Sequence, residues 1–380
     1  CNNCQGFGLL LAQPPPNELR FMFWNIDGLD EVGGAPGLAK RVLAVALEVA
    51  RHRPLAVMLQ EVIPPALEIL AHDKVLGSHY EIVVPRDPPV PYFVAILLDR
   101  KRLRKLGEPV TVPFPGTMMG RQLLSVTVEL QTGCGGSLPS APVLLATAHL
   151  ESTKDHGPER KRQLAQSLRY IRSALGKVPP GASRSSPVVT AMLGGDLNLR
   201  DEEVKAVQRE LGDEAVGIAD VWGFCGSPEA SRWTWDTGAN TNIGATYVCK
   251  TRFDRVLFIS QGISDIAGAP GAIAIPKAKA KAKASSARMP EQSGGSNNGW
   301  RPASLSLVGK EKVPNLGRFP SDHWGVLTEW TLSGGSGPSA PAGRAEPAGR
   351  PAGSQGEAAR PEPPRPKVVP NWVVIDLDDD

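Results

Sequence analysis

Val188-Val189-Thr190-Ala191-Met192-Leu193 runs straight into Gly194-Gly195-Asp196-Leu197-Asn198. A short apolar run of this kind reads as a buried β-strand, and here its carboxyl end delivers a carboxylate and a carboxamide. The same grammar occurs three more times. Leu19, Phe21 and Phe23 alternate with Arg20 and Met22 before Trp24-Asn25, which predicts a half-buried strand with polar groups at its end. Pro54 restarts the chain, and Leu55 to Leu59 form a buried strand ending at Gln60-Glu61; Val143 to Ala148 leads into His149.

Stretches of helical period lie between these runs. Leu38, Val42, Val45 and Val49 share one helix face, and so do Leu164, Leu168, Ile171 and Leu175. Opposite the second set stand Arg160, Lys161, Arg162 and Arg169, which read as a solvated basic face. Strands and helices alternate from about Leu19 to Leu332, the pattern of an α/β or α+β domain. The 380 residues, 41% of them hydrophobic, allow one core of roughly 250 residues with tails, or two ordinary domains.

With 42 basic and 39 acidic side chains the formal charge is +3, which neither requires nor excludes a polyanionic partner. Five scattered cysteines fit reduced thiols better than a disulfide framework. Phe7 to Ala12 is too short for a spanning helix or a signal sequence, and no cationic segment precedes it, so a soluble protein is expected. The first residue is Cys rather than Met, so missing N-terminal features carry little weight.

Four strand ends therefore present Asn25 with Asp27, Glu61, His149 with Ser152, and Asp196 with Asn198; Asp322-His323 comes late as a fifth polar group. Each alone is as readily a helix cap or turn former. Together, at the carboxyl ends of neighbouring strands, they can converge on one crevice. Glu61 with Asp27 or Asn25 nearby offers the oxygen ligands that Mg2+ prefers, whereas the histidines and cysteines lack zinc spacing. Phosphodiester hydrolysis needs a water-activating group, donors for the non-bridging oxygens and Lewis-acid help, and this set contains candidates for each.

Whole phrases occur in order: FWNIDGLD (Phe23 to Asp30), LQEVIPP (Leu59 to Pro65), AHLEST (Ala148 to Thr153), GGDLNLRDEEV (Gly194 to Val204), WTWDT (Trp233 to Thr237), RFDRVLF (Arg252 to Phe258) and RFPSDHWGVL (Arg318 to Leu327). This set resembles the exonuclease/endonuclease/phosphatase superfamily and, within it, the tyrosyl-DNA phosphodiesterase 2 family. QEVIPP, HLEST and WTWDT separate it from apurinic endonucleases on the same frame. The resemblance departs from the family pattern at Leu197, where Thr is expected, and at Gln122, where Asn is expected.

The resemblance implies a DNase I-like four-layer α/β sandwich with two facing mixed β-sheets. It also implies a magnesium-dependent phosphodiesterase, with Mn2+ as a substitute, that releases topoisomerase II-derived tyrosine from DNA 5′ ends during repair in the nucleus, with cytoplasm as a second location. Glu61 is implied as principal metal ligand, with Asn25 and Asp27 beside it directly or through water. Asp196 is implied to orient or deprotonate the attacking water and Asn198 to hold it in line. His323 is implied to contact the phosphate with Asp254 as its orienting carboxylate, and His149 and Ser152 to donate from the other side. Asp322 is implied as a carboxylate near the metal. Arg200 and Trp235 are implied to contact DNA, one at a phosphate and one at the terminal nucleotide.

The rest of the chain reads as appendages to a catalytic domain at 19–332: a tail at 1–18, a polar Lys/Ala/Ser/Gly insertion at about 277–299, a Pro/Gly/Ala linker at 333–367 and an acidic tail at 368–380. Cys1 and Cys4 have the spacing of half a Cys4 site, so Zn2+ is expected only if a fuller finger exists. Val373, Val374, Ile375 and Leu377, followed by acids, resemble a SUMO-interacting motif that adds as a strand to a partner's sheet edge. The rival readings are an apurinic endonuclease or RNA deadenylase on the same fold, and a non-catalytic SUMO-binding scaffold.

Overall fold

The computed structural model describes residues 19–131, 141–261 and 299–332. The Cys1/Cys4 tail, the insertion apart from Gly299, the linker and the Val373–Leu377 motif lie outside them. In chain order the strands are β1 (Leu19–Asn25), β2 (Ala56–Val62), β3 (Tyr80–Val83), β4 (Phe93–Asp99), β5 (Leu103–Pro113), β6 (Gln122–Leu130) and β7 (Val143–Ala148). Then follow β8 (Thr190–Asp196), β9 (Ile218–Asp220), β10 (Trp235–Asp236), β11 (Lys250–Thr251), β12 (Asp254–Ser260), β13 (Trp300–Val308) and β14 (Gly325–Leu332). The α-helices are α1 (Gly34–His52), α2 (Pro64–His72), α3 (Leu76–His79), α4 (Gly157–Ala174), α5 (Asp201–Leu211) and α6 (Val221–Phe224).

Two six-stranded sheets form, one ordered β13-β14-β1-β2-β4-β3 and the other β5-β6-β7-β8-β12-β9. Each is mixed and contains one parallel pair, β1 with β2 and β7 with β8. Parallel neighbours need a long crossover connection, and α1 and α4 supply it. Phe21, Phe23, Met58, Leu145, Phe258 and Trp330 pack between the sheets. Met22, Trp24 and Leu59 pack outward under α1, against Val42 and Val45. Leu144, Ala146 and Leu193 do the same under α4, against Leu164 and Leu168. The order of layers is thus helix, sheet, sheet, helix, the four-layer sandwich.

Three readings need correction. β1 is buried on both faces, with Met22 fully enclosed, because α1 covers the side expected to face solvent. The strand expected at 188–193 spans Thr190–Asp196, so Gly194 and Gly195 are strand residues. A Cβ on Gly194 would lie 2.2 Å from the Phe23 ring of the facing sheet, and one on Gly195 would lie 2.4 Å from the Ala148 carbonyl, so the double glycine is a packing requirement. Finally, Arg160 does not belong to the solvated face. It is 1% exposed, pairs with Glu203 of α5 at 2.6 Å and donates to the carbonyls of Glu151 and Thr153. Arg162 and Arg169 do face solvent, and α4 stops one residue before Leu175.

Candidate active site

The parallel pairs bring four strand ends together. β1 ends at Asn25, β2 runs out through Gln60 and Glu61, β7 hands over to His149, and β8 ends at Asp196. The antiparallel neighbours start where these stop: Asp254 opens β12 directly opposite Asp196, and Asp322-His323 precede β14, the partner of β1. The chain leaves through left-handed backbone at Asp27, Glu61 and Asn198, with φ of 51°, 53° and 52°. Such values are uncommon for residues with a side chain and occur where the surroundings hold a functional group in place.

Asn25 ties the two sheets. Its Nδ2 donates to Glu61 Oε1 and to Asp196 Oδ2, each at 3.0 Å, while its Oδ1 accepts the Asp27 N–H at 2.9 Å. Its amide thus separates two carboxylates and orients the Asp27 turn. The Asn198 N–H donates to Asp196 Oδ1 at 3.1 Å, and its side chain donates to the Leu150 carbonyl.

Two imidazoles flank Asp196. Arg121 Nη1 lies 2.7 Å from His149 Nδ1. A guanidinium can only donate, so that nitrogen accepts, which turns Nε2 toward Asp196 Oδ2 at 3.2 Å. His323 Nδ1 is 2.7 Å from Asp254 Oδ2, and its Nε2 is 3.7 Å from Asp196. Burial disfavours the charged ring, but Asp254, Asp322 and Asp196 together hold its pKa well above the usual histidine value, so it is an imidazolium. Burial likewise opposes ionisation of Asp196, yet His149, His323 and the Asn25 amide keep its carboxyl well below the usual range.

At the rim, Trp235 Nε1 donates to Asp322 Oδ2 at 3.3 Å. Asp322 lies 3.9 Å from His323 Nε2. Arg200 caps α5 two residues beyond Asn198. Ser152 points its hydroxyl at Met119 Sδ, 3.2 Å away, so it reaches neither His149 nor Asp196.

Four supporting residues lie outside the candidate set, Gln60 among them although it is half of a polar strand-end pair. Arg41 is fully buried beneath the Asp27 turn and donates to the carbonyls of Ile26, Asp27, Asp30 and Pro320. Its signal was a cation three residues after Leu38, on the apolar stripe of α1. Gln60 bridges the sheets through Thr147 Oγ1, and Ser321 Oγ donates to the Asn25 carbonyl at 2.6 Å. Arg121 stands on a loop anchored by the buried Glu151, which accepts from Thr117 and from the N–H groups of Met118 and Met119.

The donor set fits a divalent cation. Burial, with the charges of Asp322, Glu61 and Asp30, pushes the Asp27 carboxyl up to about 8 although Arg41 opposes the shift. Carboxylates crowded with too little positive charge are what a hard cation relieves. Ligand atoms of Glu61, His149 and Asp196 also lie within 4.8 Å of one another, as do those of Asp196, Asp254 and His323. Arg121 and Asp254 engage Nδ1 of the two imidazoles, and both Nε2 atoms face Asp196. A small hollow opens beside His149, lined by Pro85, Pro88, Tyr92, Phe93 and Arg121, whose guanidinium sits 5.0 Å from the Tyr92 ring centroid.

No family model matches the chain. The tyrosyl-DNA phosphodiesterase 2 of Xenopus tropicalis is 36% identical over 322 residues, 85% of this chain and 68% of that protein. The crystal structure of Danio rerio TDP2 complexed with single strand DNA product is similar, with a TM-score of 0.61 and 31% identity over 83% of this chain and 99% of that one. An endonuclease/exonuclease/phosphatase from Bacteroides vulgatus, 13% identical with a TM-score of 0.53 over 83% of this chain and 99% of that one, shares the fold alone.

Proposed function

Because this chain belongs to the tyrosyl-DNA phosphodiesterase 2 family, we propose that it uses magnesium to hydrolyse the bond between a tyrosine and a DNA 5′ phosphate, leaving a ligatable 5′ phosphate. The observation that carries the reading is Asp196, an ionised carboxylate held between the Asn25 amide, His149 and a cationic His323. So strongly stabilised an anion is a poor store for a proton but a good acceptor that fixes a water. Asp196 with Asn198 aims that water at phosphorus, opposite the tyrosine oxygen. The oxygen–phosphorus bond forms as the bond to tyrosine breaks, the water proton passes by way of Asp196 to solvent, and the phenolate takes a proton from solvent.

His323 stabilises charge growing on the non-bridging oxygens, and Asp254 keeps its ring turned inward. His149 donates from Nε2 on the opposite side. Glu61 and Asp27, with Asn25 beside them, would hold magnesium, which would supply Lewis-acid charge to the phosphate. Tyr92 and Phe93 line the hollow beside His149 on the side of the departing tyrosine, and Arg121 at its wall favours a departing phenolate. Trp235 offers its face to the terminal nucleotide and Arg200 its charge to the backbone.

The same reading places the protein in nuclear repair of topoisomerase II-derived adducts, with SUMO engaged by Val373–Leu377. A SUMO pull-down tests that last element, since equal retention after changing Val374 and Ile375 to Ala removes it. Turnover of 5′-tyrosyl, abasic and polyadenylate oligonucleotides, with magnesium or EDTA, tests the whole. Magnesium-dependent release from the 5′-tyrosyl substrate alone is the expected outcome, and preference for either of the other two overturns it.

A further inference from the structure

Thr234 is buried between two half-buried tryptophans, Trp233 and Trp235. Its hydroxyl accepts the Asp254 N–H at 3.1 Å, and its carbonyl accepts the Trp324 N–H at 2.8 Å. The segment is thereby pinned to both catalytic loops, and the residues on either side of Thr234 are turned outward. Trp233 and Trp235 are two residues apart, so their Cα atoms are at most about 7 Å apart. That is one step along an extended polynucleotide.

A pocket opens at Trp233, lined also by Arg200, Arg232, Lys250, Arg252 and Arg255. Its floor is rigid. Arg252 and Arg255 both pair with Asp201, at 2.9 and 2.6 Å, and both face Asp220, so their charges are matched. The walls are less committed. Arg232 lies over the Trp233 ring, 4.1 Å from its centroid, and makes only a 3.7 Å contact with the exposed Glu229. Lys250 is half exposed and pairs with Asp236 at 3.2 Å. An aromatic ring beside partly exposed cations, in one pocket with Arg200, is the combination that holds single-stranded nucleic acid without reading its sequence.

We infer that Trp233, Arg232 and Lys250 form a second-nucleotide subsite, in which the ring stacks on the base following the terminal nucleotide and the two cations take the phosphate between them. This rests on the function proposed above. It assigns the strand a direction, away from the hollow beside His149, past Trp235 and toward Trp233.

Hydrolysis of thymidine 5′-(4-nitrophenyl phosphate) can be compared with that of a 5′-tyrosyl trinucleotide, by wild type, Trp233→Ala, Trp233→Phe and the Arg232→Ala/Lys250→Ala pair. Magnesium-dependent turnover of the nitrophenyl ester by the wild type tests the proposed function by itself. Chain length tests the subsite. The preference for the trinucleotide, as a ratio of kcat/KM values, should fall about tenfold through KM in Trp233→Ala and recover in Trp233→Phe, since stacking is worth about 1–3 kcal/mol per base. The double variant should lose a similar factor and show a shallower dependence of KM on salt. The inference is overturned if neither Trp233→Ala nor the double variant changes the ratio, or if both depress turnover of the two substrates equally.

Discussion

His323 Nδ1 lies 2.7 Å from Asp254 Oδ2, joining the loop before β14 to the first residue of β12 deep in the site. Asp254 favours the imidazolium, together with Asp322 and Asp196, against the effect of burial. A phosphate contact that depends on this cation is lost as pH rises through its elevated pKa, so activity should have an alkaline limb well above pH 6.5. Asp254→Asn should move that limb to lower pH and reduce kcat at neutral pH. The stability contribution has the same sign, being complete below the unfolded pKa of about 6.5 and lost as pH rises through the folded value. An unmoved limb in a pH–kcat profile would remove His323 from the role of cation.

Asn25 donates to Glu61 and Asp196 at 3.0 Å each. Asn25→Asp preserves shape but replaces two attractions with two repulsions. We expect kcat to fall by about 10²–10³, the scale of losing one preorganised donor, with little loss of secondary structure by circular dichroism. Retention of half the wild-type rate would contradict the bridging role.

Arg41 holds four carbonyls beneath the Asp27 turn while fully buried. Arg41→Met removes the charge and leaves those acceptors and Asp27 without it. Urea unfolding should show a loss of about 3 kcal/mol, as expected for breaking a buried charged network. A change below about 0.5 kcal/mol, within the range of an ordinary surface substitution, would contradict this account.

Asp201 ties Arg252 and Arg255 to the start of α5. Burial opposes its ionisation, but the two guanidinium groups win and bring its pKa down to about 2. A depressed carboxylate stabilises the fold above its unfolded pKa of about 3.9, and that contribution is lost as pH falls through 2. The side chain is 39% exposed, so solvent screening reduces the expected contribution to about 1 kcal/mol. Asp201→Asn should therefore lower the Tm at pH 7, with the difference shrinking toward pH 2. A pH-independent difference would assign the effect to packing.

The strand ends were legible because a buried run that stops in polar residues has few other uses. Asn25, Glu61, His149 and Asp196 could be picked out that way, while Asp254 and His323 were singled out by likeness and by a late polar pair. The partners were less legible. Ser321 meets Asn25 across 296 residues, and no local pattern announces such a contact. Arg160 was misread because helical period separates faces but does not reveal a second helix packed over one of them. Arg41 broke the apolar stripe of α1, a signal that could have been used. His149 Nδ1 meets Arg121, which reaches it from a loop 28 residues away in sequence.

Single-turnover cleavage of two oligonucleotides, one bearing tyrosine at its 5′ phosphate and the other at its 3′ phosphate, tests the central claim most directly. With saturating magnesium the 5′ adduct should be converted to a 5′-phosphorylated, ligatable strand and the 3′ adduct left intact. EDTA or Glu61→Gln should abolish the reaction. Equal cleavage of both adducts, or unchanged cleavage of the 5′ adduct by Glu61→Gln, would contradict the account.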